Sequence, residues 1–224
     1  MLRDSKPTYQ PPNSSSLDVS TNLEVDSILK FIDENISGFY EYYISRNDSD
    51  KENRISEFLI SHFQISIHEQ GGFLPYYFIK NPTQAVSTRE TDIGVKALTR
   101  SAKNTIIEFE AKRFSESSNN KEYVCGERGG IERFKKDLHS SHLVVCGMFG
   151  YVQSGTAQEW IGKVNGWIGE KQKNNQDSTI DWTTDQEQLI SNNTFPRVEK
   201  LFSKHLRKQS NDFISLWHYL IELK

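Results

Sequence analysis

The spacing of apolar and polar positions along the chain predicts four amphipathic helices. Apolar residues recur every three or four positions in each of these stretches, the interval that places them on one helix face. In the first stretch Gly38 is expected to weaken the helix. Before the last stretch, Thr156 followed by Glu159 forms a capping-box pattern, which marks the start of a helix. The predicted helices span about 22–44, 51–64 and 129–139, and the fourth follows Thr156.

The remaining apolar stretches either alternate or are continuously apolar, and predict strands. The most informative is 105–113, where a period of two puts apolar residues on one face and Glu108, Glu110 and Lys112 on the other. Helices and strands mixed in this order predict an α/β fold with a mixed central sheet flanked by helices. The predicted strands span about 73–79, 92–97, 105–113, 142–152, 197–207 and 212–223.

Composition divides the chain into a tail and one domain. Residues 1–22 are rich in Ser, Pro and Asn and predict a disordered tail. Residues 23–224 are expected to form a single domain, since a chain of 224 residues can enclose one sizeable core. A polar, aperiodic stretch near 170–190 is predicted to be a poorly packed loop.

Several classes of protein are disfavoured by composition. No run approaches eighteen apolar residues, so no membrane-spanning helix is expected, and the N-terminus lacks the apolar segment of a secretory signal. Two cysteines, Cys125 and Cys146, argue against a disulfide framework and favour the cytoplasm. The net charge of -3 gives no general support to nucleic-acid binding, which would need a local basic patch.

Three residues form the main candidate for chemistry. Asp92 lies at the start of a predicted strand, eighteen residues before Glu110, and Lys112 shares a strand face with Glu110. Carboxylate oxygens are the ligands that Mg²⁺ prefers, and a neighbouring ammonium can act on a phosphate. On the pattern alone, a strand with one solvated, chemically idle face is an equal alternative.

This order of residues resembles the PD-(D/E)xK nuclease superfamily, the restriction-endonuclease-like fold. That superfamily has a helical acid, then an Asp at a strand end, then Glu-x-Lys on the next strand. The resemblance covers about 50–152, and Thr91 stands where a Pro is usual. Three further segments, 123–124, 129–134 and 150–152, are similar to uncharacterised bacterial branches, some of them near phage-defence genes.

The resemblance implies a catalytic site formed by Lys112, Glu110, Asp92 and a helical acid. The helical acid is Glu52 or Glu57, and Glu52 is preferred because it lies at the helix start, near the apolar stripe. Asp92, Glu110 and the carbonyl of Ala111 would hold Mg²⁺ or Mn²⁺. Lys112 would orient or deprotonate the attacking water.

Glu108 shares the strand face with these residues. It is interpreted as a ligand of a second metal, as a support for Lys112, or as a charge at the rim of the site.

Basic residues elsewhere are candidates for contact with nucleic acid. Arg133 and Arg128 lie on or before the third predicted helix, and His205 and Arg207 alternate on one predicted strand. The alternative for the histidine is a structural role. Lys135 and Lys136 are also candidates for contact with phosphates, but an ordinary solvated helix face is favoured for them. His139 and His142 lack the partners of a zinc site.

The function implied by the resemblance is a metal-dependent nuclease, a DNA endonuclease of a bacterial anti-phage or restriction system. Nucleic acid is then the substrate, with DNA favoured over RNA. A helicase or another defence-system protein is a candidate partner, and a homo-oligomer is left open. The rival interpretation is a catalytically silent scaffold module with the nuclease fold, which acts through a partner protein.

Overall fold

The computed structural model describes residues 15–46, 51–71, 74–82, 90–98, 105–126, 128–175, 177–182 and 185–224, and only the backbone of 15–22. Short 3₁₀ turns at Ile36–Gly38, Asn120–Tyr123 and Asp185–Glu187 accompany the α-helices. The α-helices of these residues are α1 (Ser15–Asn35), α2 (Phe39–Ile44), α3 (Glu52–Glu69), α4 (Gly130–Lys135) and α5 (Ala157–Lys173).

A mixed sheet of seven strands forms the centre of the described structure. Its order is β1-β2-β3-β4-β7-β6-β5, with β3, β4 and β7 parallel to one another and the outer pairings antiparallel. The strands are β1 (Tyr76–Lys80), β2 (Ile93–Ala97), β3 (Ile107–Phe114), β4 (Val145–Val152), β5 (Ile190–Phe195), β6 (Val198–Arg207) and β7 (Asp212–Glu222). The predicted fold class, an α/β fold with a mixed sheet flanked by helices, is confirmed.

Two hydrophobic cores cover the two faces of the sheet. The first contains residues of α1 and α3 together with Phe109 and Ala111 of β3. The second contains residues of α4 and α5 together with Phe114 of β3 and Met148 of β4. Because both faces are covered, the polar side chains of β3 lie inside the protein and not on a solvated surface.

The first predicted helix is interrupted where Gly38 was expected to weaken it. The turn Ile36–Gly38 separates α1 from α2, and a Cβ atom on Gly38 would lie 3.3 Å from His62 Cε1. Helix α1 begins at Ser15, earlier than the predicted helix start near residue 22 and within the stretch predicted as a tail. Residues 1–14 lie outside the described part of the chain.

The 170–190 stretch differs most from its prediction. Helix α5 continues to Lys173, and the segment after it buries Trp182, Glu187 and Leu189. The prediction of poor packing is therefore wrong, because a few buried side chains anchor an otherwise polar segment. Strand β5 was also missed, since its side chains are exposed and show no apolar alternation.

Helix α5 starts where the sequence predicts, whereas α4 ends at Lys135, before the predicted end near residue 139. Thr156 and Glu159 form a complete capping box at the start of α5. Cys125 and Cys146 are buried and free. Across the described ranges, no helix combines the length and the apolar character needed to cross a membrane.

Candidate active site

Asp92 directly precedes β2, and Glu110 lies on the neighbouring strand β3. In the β2–β3 ladder Ile93 pairs with Phe109, so one further step of this antiparallel register places Asp92 opposite Glu110. Asp92 Oδ2 also accepts a hydrogen bond of 2.7 Å from the backbone N–H of Ala111. Two carboxylates directly opposite on one sheet face repel each other, so this position favours a bound cation.

Lys112 lies beside Glu110 on the same face of β3. Its Nζ donates to Glu110 Oε1 at 2.8 Å and to the carbonyl oxygen of Ala111 at 3.0 Å. The side chains are 11% and 3% exposed, respectively, so this ion pair is largely withdrawn from water. The predicted Glu-x-Lys face of the strand is therefore formed, and it is buried.

Glu52, at the start of α3, brings a third carboxylate to the same place. Its Oε2 accepts a hydrogen bond of 3.0 Å from the N–H of Arg113, and its Oε1 lies 3.9 Å from Lys112 Nζ. Glu57 instead pairs with Arg54 at 2.8 Å and Lys80 at 2.6 Å. Of the two candidate helical acids, Glu52 is thus the one that lies at the site.

A second cation reaches Glu110 from α4. Arg133 Nη1 lies 3.1 Å from Glu110 Oε1, and the arginine side chain is 27% exposed. The helix approaches the sheet closely because it begins with a glycine. A Cβ atom on Gly130 would overlap the methyl group of Met148.

The ionisation of the cluster follows from burial and from its neighbouring charges. Burial and the repulsion of Glu110 raise the pKa of Asp92 to about 6. Burial likewise raises the pKa of Glu52. For Lys112 burial lowers the pKa, but the surrounding carboxylates, Glu110 first, more than offset this and leave it raised. Lys112 is therefore an ammonium ion at neutral pH, which favours the orienting role over that of a base.

The donor chemistry of this cluster fits a hard divalent cation. Three carboxylates face two cationic side chains, so the cluster has a formal charge of about -1 when all are ionised. Burial first, and then the charge of Glu110, raise the pKa of Asp92, so a cation bound by Asp92 and Glu110 would stabilise the ionised carboxylates. The carbonyl of Ala111 is engaged by Lys112 in this arrangement. Within the described ranges, no three His, Cys, Asp or Glu side chains form a ready-made metal cage.

Glu108 has a different environment from the one predicted. It is 1% exposed and accepts hydrogen bonds from three hydroxyl groups, so the interpretation as a rim charge is wrong. Its donors are Thr105 at 2.5 Å, Ser140 at 2.5 Å and Thr91 at 3.3 Å. These hydroxyl groups lie far apart along the chain, and no spacing in the sequence indicates them.

Two of the predicted nucleic-acid contacts are corrected by the structure. His205 and Arg207 are both fully buried, so neither can contact a nucleic acid on the surface. Arg207 pairs with Asp212 at 2.9 Å and donates to the carbonyl of Leu143 at 2.7 Å. The alternation of β6 was recognised correctly, but it does not reveal that the face with these residues is covered.

The two arginines and two lysines on or near α4 differ in exposure and in the groups that they contact. Arg128 is exposed, and Arg133 lies at the carboxylate cluster. Lys135 is fully buried and pairs with Glu187, so its expected place on a solvated helix face is wrong. Lys136 pairs with Asp177 at 3.0 Å and with Glu132 at 2.8 Å.

Comparison with protein-family models, with curated proteins and with solved structures gives no match for this chain.

Proposed function

We propose that this protein is a metal-dependent nuclease with a restriction-endonuclease-like core. The observation that carries the proposal is the meeting of Asp92, Glu110 and Lys112 with Glu52 in one cluster. These residues come from β3, from the start of β2 and from the start of α3. The order of a helical acid, an Asp and Glu-x-Lys is the order that the resemblance implied.

Asp92 and Glu110 are the residues that would hold Mg²⁺ or Mn²⁺. Such an ion would lower the pKa of a bound water and neutralise charge on the scissile phosphate. Lys112, as an ammonium ion, orients the attacking water and donates to a phosphate oxygen as negative charge develops there. Glu52 fixes the start of α3 to β3 through its bond with the Arg113 N–H and adds negative charge beside Lys112.

The proposed substrate is nucleic acid, with DNA favoured. Arg133 and Arg128 are the basic residues proposed to contact its phosphates. The role in bacterial defence, with a helicase or another defence protein as partner, is supported by the resemblance of 123–124, 129–134 and 150–152.

Cleavage assays test this proposal. Single- and double-stranded DNA and RNA would be incubated with the protein and Mg²⁺ or Mn²⁺, with a chelator as the negative control. Cleavage that needs the metal and is lost in Glu110→Gln is expected. Glu57→Gln is the matched control, because it removes the same charge at a carboxylate outside the cluster.

The same experiment separates the nuclease from its rival. If a titration shows no binding of divalent cations and no substrate is cut, the protein is a silent scaffold module. If the protein cleaves RNA and not DNA, the proposed mechanism stands and the proposed substrate is wrong.

A further inference from the structure

We propose that Arg133 is an exchangeable counter-ion: it neutralises Glu110 while the site is without metal and moves to a substrate phosphate when a divalent cation binds. This inference rests on the proposed nuclease function and deepens it. The starting observation is that Arg133 Nη1 and Lys112 Nζ contact the same oxygen, Glu110 Oε1, at 3.1 and 2.8 Å.

A divalent cation on Glu110 would conflict with this arrangement. The carboxylate would then face a dication and two monocations at once, and their mutual repulsion in a partly buried site is strong. We therefore expect one of the two side chains to weaken its hold on Glu110. The formal charge of the cluster changes from about -1 to about +1 when the dication binds. A net positive charge likewise favours the departure of one cationic side chain.

Arg133 is the side chain that is free to leave. Lys112 is held additionally by the carbonyl of Ala111 at 3.0 Å and lies 3.9 Å from Glu52. The Arg133 side chain is 27% exposed, compared with 11% for Lys112, and reaches Glu110 from outside the sheet. Its ion pair with Glu110 uses one of the five N–H donors of a guanidinium.

The released guanidinium has a chemically suitable destination. Its planar fork matches the oxygens of a phosphate, and its partial exposure lets it reach a strand that lies over the site. The close packing of Gly130 on Met148 holds the start of α4 near the sheet, so we expect the exchange to occur by rotation of the Arg133 side chain and not by a shift of the helix. The metal and the nucleic acid then bind with positive coupling, because metal on Glu110 releases Arg133 and a phosphate on Arg133 frees Glu110.

The first test measures the affinity of the free protein for Mn²⁺ by calorimetry, without nucleic acid. Arg133→Gln removes the competing cation and is expected to bind Mn²⁺ about two- to fivefold more tightly, the range for loss of a partly exposed ion pair. Arg133→Lys keeps the charge and is expected to stay near the wild type. Arg54→Gln is the matched control, since it also removes an Arg–Glu ion pair and one charge, at Glu57.

The second test measures cleavage of duplex DNA at saturating Mn²⁺. Arg133→Gln is expected to raise KM for the DNA about tenfold or more, since it removes a phosphate contact, with a smaller change in kcat. The exchange predicts that Arg133→Gln binds Mn²⁺ more tightly and has a higher KM for DNA. Circular dichroism would verify that the variants are folded.

Each result has a defined meaning. Unchanged or weaker Mn²⁺ binding by Arg133→Gln overturns the exchange, even if the wild type is a nuclease. A wild type that binds Mn²⁺ but cuts no nucleic acid removes the proposed function, while the Mn²⁺ titration still decides whether Arg133 competes for Glu110. A wild type that binds no divalent cation overturns both.

Discussion

Lys112 interacts with different groups before and during the proposed reaction. Before catalysis its ammonium stabilises buried carboxylates, and during catalysis it acts on water and phosphate. We expect Lys112→Ala to lower the cleavage rate by roughly 10²–10³-fold, the usual cost of removing a donor that stabilises charge developing in the transition state. Binding of Mn²⁺ should persist, whereas Asp92→Ala and Glu110→Ala should weaken it. The measurements are cleavage rates and Mn²⁺ titrations of the three variants, and a Lys112→Ala enzyme as fast as the wild type would contradict this mechanism.

Ionised Asp92 lowers the stability of the folded protein, a cost that its proposed role as a metal ligand explains. Its pKa is about 6 in the folded protein, compared with 3.8 for an unperturbed aspartate, so the folded state binds more protons than the unfolded chain between these values. Ionised Asp92 therefore destabilises the fold above pH 6, and this penalty disappears as the pH falls through 6 towards 4.

Asp92→Asn tests this directly. The amide oxygen can still accept from Ala111 N–H, but the charge is gone. We expect the free energy of unfolding to rise by about 1–3 kcal/mol at pH 8 in the absence of divalent cations, and the gain to shrink towards pH 4. Urea denaturation of both proteins across this pH range is the measurement. A gain that is constant with pH would show that charge is not its cause.

At the scale of elements, the position of α4 depends on Gly130. A Cβ atom there would overlap the methyl group of Met148 and would lie 3.2 Å from the carbonyl oxygen of Tyr123. The methionine end can move, but the backbone oxygen cannot move easily. We expect Gly130→Ala to lower the free energy of unfolding by about 1–2 kcal/mol, as is typical of overpacking, and to weaken the contact of Arg133 with Glu110.

Gly162 in α5 is the matched control for this substitution. A Cβ atom on Gly162 would meet no atom within 4 Å. Gly162→Ala should therefore stabilise the protein by about 0.5–1 kcal/mol through helix propensity alone. Urea denaturation of Gly130→Ala and Gly162→Ala is the measurement. Equal changes in the free energy of unfolding would contradict the argument that Gly130 is closely packed.

The sequence predicted elements well where burial and periodicity coincide. The alternation of β3 identified Glu110 and Lys112 because one face of the strand had to be apolar. Strand β5 lies at the edge of the sheet with exposed polar side chains, so it carries no periodic signal. His205 and Arg207 show a third case, in which alternation gives the shared face but not whether another layer covers it. Contacts such as Arg133 with Glu110 depend on tertiary packing, which spacing along the chain does not encode.

At the scale of the molecule, a buried ion pair connects α4 with the segment after α5. Lys135 and Glu187 contact each other with both side chains fully buried, and Lys135 Nζ lies 4.6 Å from the centre of the Trp182 ring. Burial lowers the pKa of Lys135 and raises that of Glu187, which shows that both charges are costly there. The pair therefore specifies how this segment is attached more than it contributes net stability.

A double-mutant cycle tests the role of this pair. Lys135→Met leaves the carboxyl group of Glu187 without its partner, and we expect a loss of about 3 kcal/mol in the free energy of unfolding. The double variant Lys135→Met/Glu187→Leu should recover most of the loss, because an apolar pair replaces an ionic one. If the double variant is as unstable as the sum of the single variants, the two residues act independently.

The place of β7 in the sheet has a consequence for how the protein matures on the ribosome. Among the described strands this one comes last in sequence, yet it lies between β4 and β6. The half of the sheet that carries Asp92, Glu110 and Lys112 is synthesised first, but one edge of β4 stays unpaired until β7 has left the exit tunnel. Strands β5 and β6 join the sheet only through β7, so a nascent chain that stops before residue 212 keeps that edge open. The half of the sheet that carries Asp92, Glu110 and Lys112 is therefore expected to be completed only once residues 212–222 are available to pair with β4.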